Sequence, residues 1–115
     1  MTREELHAAA LALPGATMNV QWGDDHIYKV AGKMFAGVDG GYRTLSLKAT
    51  DIAFEALTAM GRARPARYLA RAKWLFFDDL AALDASEVAD WLATSHALVA
   101  AKLTRAQKKE LGLAP

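Results

Sequence analysis

Behind Thr2, the apolar residues Leu6, Ala9, Ala10 and Leu13 recur at helical spacing, and Thr2 with Glu5 forms a capping box. Pro14-Gly15 ends that helix. From Thr17 to Ala49 the period changes. Val20 and Trp22 precede a turn at Gly23-Asp24-Asp25. Apolar runs follow at Ile27–Val30, Met34–Val38 and Tyr42–Lys48, divided by Ala31-Gly32 and Asp39-Gly40-Gly41. In the last run Leu45 and Leu47 alternate with Thr44, Ser46 and Lys48, the period of a strand with one buried face. Asp-Gly between two such runs is a hairpin signal. A two-residue loop at Ala31-Gly32 pairs Val30 with Lys33, Lys29 with Met34 and Tyr28 with Phe35, so the two lysines project to opposite faces.

A second helix starts at Thr50 or Asp51, buries Ala53, Phe54, Leu57 and Met60, and ends at Gly61. Residues 62–73, "RARPARYLARAK", carry basic side chains and no acid. "WLFF", Trp74–Phe77, reads as a buried strand. Asp84 and Glu87 cap a third helix with a stripe of Val88, Trp91, Leu92, Ser95, Leu98 and Val99. Thr104 and Gln107 cap a short last helix ending near Gly112. The order predicts one α+β domain over residues 1–115: an antiparallel meander with N- and C-terminal helices packed on one face.

Composition narrows the function classes. A chain of 115 residues with 53% hydrophobic and 23% charged residues holds an ordinary globular core. The absence of cysteine excludes disulfides, thiolate metal sites and cysteine nucleophiles, and fits a reducing compartment. No apolar run reaches 18 residues, and Arg3 is followed at once by Glu4 and Glu5, unlike a signal peptide. The expectation is a cytoplasmic monomer with no membrane partner. A net charge of +1 does not indicate a strongly basic nucleic-acid binder.

The chemical motifs dissolve on inspection. Gly32-Lys33 is not a phosphate loop: Ile27 stands where the first glycine belongs and Met34 follows the lysine. Asp24, Asp25 and His26 could begin a metal site, but neighbours on a strand point to opposite faces and Gly-Asp-Asp is common turn chemistry. Ser95 and His96 are helix neighbours about a third of a turn apart, so they do not face each other; Ser95 reads as a small residue permitting close packing. His7 and His96 read as solvated or core-rim histidines. Asp78-Asp79 reads as a loop pair. These residues predict no enzyme, no cofactor and no metal.

What remains is basic and aromatic. Lys29, Lys33, Arg43 and Lys48 lie on or beside strands, and Arg62, Arg64, Arg67, Arg71 and Lys73 follow the second helix. A basic open sheet face with Trp22, Tyr28 and Tyr42 as stacking platforms could hold phosphates and bases. The residues by themselves favour the plainer reading, a solvated face balanced by Asp78, Asp79, Asp84, Glu87 and Asp90.

In order along nearly the whole chain, "ALALPGAT", "WGDDHIYKVAGKMFAGV", "LSLKA", "RPARYLARAKW" and "SHALVAAKLTRAQKKELG" resemble the MmcQ/YjbR family of small bacterial proteins. The pattern matches at Pro14, Gly15, Trp22, Tyr28, Lys29, Val30, Lys33, Met34, Phe35, Lys48, Tyr68, Trp74, Ser95 and Lys102. The resemblance implies a fold similar to the frataxin/CyaY group, a twisted antiparallel sheet with helices on one side. It also implies a DNA-binding role of the kind described as double-wing, and it supplies no catalytic set. On this reading Lys29, Lys33, Arg43, Lys48, Arg62, Arg64, Arg67 and Arg71 contact phosphates, weakly and with strong salt dependence. Iron binding by the frataxin analogy would need a strongly acidic first helix, where this chain has only Glu4 and Glu5 before a run of alanines and leucines. The rival expectation is a protein- or small-ligand-interaction module with a pocket near Trp22, Tyr28, Trp74 and the basic segment. Basic side chains gathered on one face favour DNA; scattering, or pairing with the acids after Trp74, favours the interaction module.

Overall fold

Residues 1–113 are described by the computed structural model. The first helix, α1 (Arg3–Leu11), opens with the expected box: the Glu5 N–H donates to Thr2 Oγ1 and the Thr2 N–H donates to Glu5 Oε1. Then come β1 (Ala16–Gln21), β2 (Asp25–Val30), β3 (Lys33–Val38), β4 (Leu45–Lys48), α2 (Asp51–Ala59), β5 (Arg64–Pro65), β6 (Trp74–Phe77), α3 (Ala85–Ala100) and α4 (Arg105–Glu110). Thr50, Asp84 and Thr104 cap α2, α3 and α4 through their side-chain oxygens. Thr104 forms the full box with Gln107. Glu87 does not reach back to Asp84; its carboxylate is taken by Arg62.

The strands form one antiparallel sheet in the order β1-β2-β3-β4-β6-β5. Leu45 and Leu47 of β4 are buried while Ser46 and Lys48 are half-buried, as the two-residue period requires. The helices cover one face. Leu6, Val30, Phe35, Leu45, Leu47, Leu75, Phe77, Val88 and Leu92 make the core between sheet and helices.

Three features depart from the sequence expectations. The Ala31-Gly32 turn pairs Val30 with Lys33 and Lys29 with Met34, but Tyr28 pairs with Ala36, because a bulge leaves Phe35 without a cross-strand partner. The bulge turns both Phe35 and Ala36 towards the helices, where both are fully buried. Asp39-Gly40 does not close a tight hairpin. Asp39 instead accepts hydrogen bonds at Oδ1 from the N–H groups of Arg43 and Thr44, which makes residues 39–44 a broad loop. Tyr42 therefore sits in that loop at φ 55°, not on a strand. Lastly, Arg64–Pro65 forms a two-residue edge strand on β6 that has no periodic signal of its own, and Met60, expected to be buried, is exposed.

Candidate functional site

The face of the sheet opposite the helices carries a groove. Cross-strand partners share a face, so the register assigns its floor: Ile27 opposite Gly37, Lys29 opposite Met34, Ser46 opposite Phe76, and Arg64 opposite Phe76 from the other side. A concavity of about 200 Å³ is lined by Trp22, Asp25, Ile27, Met34, Gly37, Asp39, Ser46, Leu69 and Phe76, among others. Phe76 is shared with a second, of about 490 Å³, lined by Arg64, Pro65, Arg67 and Phe76. Together they make a path across the strands from the β1–β2 turn to β5. Gly37 keeps its middle low, with only Ile27 Cδ1 near the place where a Cβ would stand.

Aromatic side chains stand in strained turns at the ends of this face. Trp22 is 70% exposed and Tyr68 is 93% exposed. Both are non-glycine residues in the left-handed region, at φ 51° and 67°. An L-residue held there costs about 1–2 kcal/mol, and such strain concentrates at ligand sites. The Arg64 guanidinium lies 5.0 Å from the Phe76 ring centre and that of Arg67 lies 5.7 Å from the Tyr68 ring centre. Neither arginine has a carboxylate partner: the ion pairs among the described residues are Arg43–Asp39 and Arg62–Glu87. Asp25 is likewise unpaired.

The other proposed contact residues are distributed as follows. Tyr28 is fully buried, Tyr42 is 7% exposed and Trp74 is 5% exposed, so none of them offers an open ring face in the groove; Tyr42 instead lines a separate concavity with Arg3, His7, Met18 and His26. Tyr28 and Tyr42 belong to the helix-covered face, where their hydroxyls are 2.8 Å apart and Tyr28 also meets His7 Nδ1 at 2.9 Å. Burial, helped by Tyr42, pushes the Tyr28 phenol far above its ordinary pKa. A pocket joining Trp22, Tyr28 and Trp74 therefore does not exist. Trp74 lies under the 66–73 excursion, held by its backbone bonds to Leu69 and Ala66.

Among the cations, Lys29 lies on the open face and Lys33 on the other side of the hairpin, as the register predicts. Lys48 donates through Nζ to the Ala72 carbonyl at 2.7 Å, and burial followed by the Lys102 charge lowers its pKa. Arg62 makes a bidentate pair with Glu87 at 3.0 and 2.6 Å and covers Trp91 beside α3, away from the groove. That pair raises the Arg62 pKa and lowers that of Glu87. Arg43 turns back to Asp39. Burial pushes the Asp39 carboxyl up, but the N–H groups of Thr44 and Arg43 together hold it below its ordinary value. Arg71 is exposed and lines neither concavity. Of the eight cations proposed as phosphate contacts, Arg64 and Arg67 line the two concavities, and Lys29 stands on the same open face beside Met34.

Sequence reasoning missed Ile27, Met34, Leu69 and Phe76 as site residues. Their signal was a strand that is apolar on both faces: Ile27 beside Tyr28 and Phe76 beside Phe77 require burial or a ligand on each side. Ser95 is more than a space-saver, since its Oγ donates to the Phe35 carbonyl at 2.6 Å and accepts from the Lys48 N–H at 3.0 Å. His96, 5% exposed, donates from Nε2 to the Pro14 carbonyl at 2.7 Å. Asp24, Asp25 and His26 do not converge. Asp24 packs against Gly40 and Asp25 lines the groove. His26 faces Tyr42, with a buried Nδ1 that has no partner among the described residues. Among the described residues no group of three His, Asp or Glu side chains could hold a metal ion, and no helix is long and apolar enough to cross a membrane.

The family model described as YjbR matches residues 11–98. Among solved structures the chain is similar to the crystal structure of Deinococcus radiodurans protein DR2400, whose domain is DUF419. The identity is 25%, the match covers 98% of this chain and 89% of that one, and the TM-score is 0.83. No curated protein matches it.

Proposed function

The chain belongs to the YjbR family, and from that premise we propose that it is a non-enzymatic binding domain whose recognition surface is the open face of the sheet. One observation carries the reading. An unpaired aromatic in a strained turn, Trp22, borders an apolar groove that ends in two arginines with no acid partner among the described residues. Strained non-glycine backbone concentrates at ligand sites, and Trp22 is held exposed at positive φ beside the groove. The non-enzymatic part rests on the placement of the polar candidates. Ser95 and His96 are both committed to main-chain groups on different elements, and the Tyr28 phenol, bonded to His7 and Tyr42, is itself buried.

The experiment is a set of amide chemical-shift titrations with millimolar benzoate, indole and benzylamine. Shifts gathered on Ile27, Met34, Gly37, Ser46, Leu69 and Phe76 are the expected result. Shifts confined to the apolar recess between α2 and α3, around Ala53, Leu57 and Trp91, would overturn it.

DNA is the second reading. It is favoured by the strand register, which brings Lys29, Lys48 and Lys73 to the same end of the sheet as the Ala31-Gly32 turn. It is opposed by the pairing of Arg62 with Glu87, the rival arrangement that the sequence left open. A labelled duplex titrated at low salt decides. Binding that weakens with salt by about 0.9 log units per log unit for each phosphate contacted supports it. Lys29→Ala should then weaken binding more than Lys33→Ala. No binding at tens of micromolar protein, or binding indifferent to salt, removes DNA.

A further inference from the structure

Resting on the open-face reading above, we infer that the occupant of the groove is an extended, zwitterionic polypeptide segment: a basic residue at one end, apolar residues in the middle and an acidic residue at the other.

The charge layout sets the chemistry. At the β2–β3 side the groove is bordered by Asp25 and by Asp39, the latter paired with Arg43, while Lys29 lies further along the same face of β2 beside Met34. At the β5 side it is bordered by Arg64 and Arg67. Between them the lining is Ile27, Met34, Leu69 and Phe76, with Ser46 and Thr44 as small polar groups. Asp39 stays ionised, since the Arg43 and Thr44 N–H groups favour the carboxylate, but its charge is shared with the Arg43 guanidinium, which leaves Asp25 as the acid open to a ligand. Asp25, Arg64 and Arg67 have no ion-pair partner within the described residues, so their charges are available to a ligand.

Length then selects among ligands. From β2 to β5 the path crosses β3, β4 and β6. Four steps of about 4.8 Å make about 19 Å, the reach of about six extended residues. A single amino acid or a small metabolite cannot touch both ends. A nucleic-acid backbone can span the distance, but it would set a phosphate against the carboxylate of Asp25, where like charges repel. An extended peptide satisfies both ends. Because it runs across the strands, side chains and not ladder hydrogen bonds select it, which distinguishes this mode from strand addition at a sheet edge.

The test uses the acetylated and amidated hexapeptide KSLFSE, with KSLFSK and ESLFSE as charge variants and oligo-dT as the polyanion. Binding is followed by fluorescence anisotropy on the full chain. The wild type should bind KSLFSE about tenfold more tightly than either variant, since each variant turns one attraction into a repulsion. Asp25→Lys should shift the preference to ESLFSE. Arg67→Glu should shift it to KSLFSK, and Arg64→Glu provides the same test at a neighbouring position. These side chains lie at the groove rim, and thermal melts confirm that each variant is folded. Equal binding of the three peptides overturns the zwitterion while leaving the open face as the surface. Tighter binding of oligo-dT overturns it in favour of nucleic acid. No peptide binding alongside groove shifts from the small aromatic probes refutes the peptide alone. If those shifts are absent too, the open-face reading falls with it.

Discussion

Trp22 shows how one residue can carry opposed demands. Its side chain is exposed and its backbone is left-handed, so local energetics favour glycine at that position. Its neighbour Gly23, at φ 89°, already has the residue the turn prefers. Trp22→Gly should therefore leave stability unchanged or raise it by about 1 kcal/mol, the relief of strain being partly offset by a floppier unfolded chain. It should also weaken binding of indole or benzoate in the groove. A urea melt and one ligand titration read the two effects. A variant that loses stability while keeping its affinity would show that Trp22 serves the fold. None of this is legible in the letters "WGD", because a tryptophan before a glycine reads equally well as the end of a strand. The turn's left-handed angles belong to three-dimensional structure. The same limit explains Tyr28 and Tyr42. An aromatic on or beside a strand is legible as such, but which face receives it depends on a register that the Phe35 bulge resets and on a loop that Asp39 organises.

At the scale of elements, the capping pairs and periods were readable because they are local. Thr2 with Glu5 and Thr104 with Gln107 form the boxes their spacing predicts, and Ala31-Gly32 forms the expected turn. The bulge was not readable, because its cause is distant in sequence. A bulge leaves β3 with a carbonyl, that of Phe35, outside the ladder, and β4 ends with the Lys48 N–H needing an acceptor. Ser95, on α3, supplies both with one hydroxyl. Ser95→Ala should cost about 2 kcal/mol, since it strands a buried acceptor and a partly buried donor while removing almost no volume. The denaturant midpoint should fall at unchanged slope. A loss under about 0.5 kcal/mol would mean that water replaces the hydroxyl. β5 was unreadable for a related reason: two residues have no period, and only the neighbouring β6 makes Arg64–Pro65 a strand.

Across the whole molecule, one face of the sheet is committed to the core and the other is left uncovered by the helices. The chain's small net charge conceals an unequal arrangement. Arg62 and Glu87 neutralise each other beside α3, and Arg43 with Asp39 does so in the β3–β4 loop. The exposed Arg62 pair contributes little to stability, about 0–1 kcal/mol, but it removes a cation from the set that would contact phosphate. What is left unpaired around the groove among the described residues is Asp25 at one side and two arginines at the other, with Lys29 on the same face nearer the Ala31-Gly32 turn. Counting charges along the chain could not reveal this division, because it depends on the sheet order that brings β5 beside β6 rather than beside β4.

The absence of cysteine makes the central claim directly measurable, since any cysteine introduced is the sole thiol. Ser46→Cys places that thiol on the groove floor, and Thr94→Cys places one beside the recess between α2 and α3. The rate of alkylation by iodoacetamide is then compared with and without saturating KSLFSE or, failing that, millimolar indole. If the open face of the sheet is the recognition surface, the ligand slows alkylation at Ser46→Cys and leaves Thr94→Cys unchanged. Protection at Thr94→Cys with none at Ser46→Cys would contradict it and place recognition among the helices.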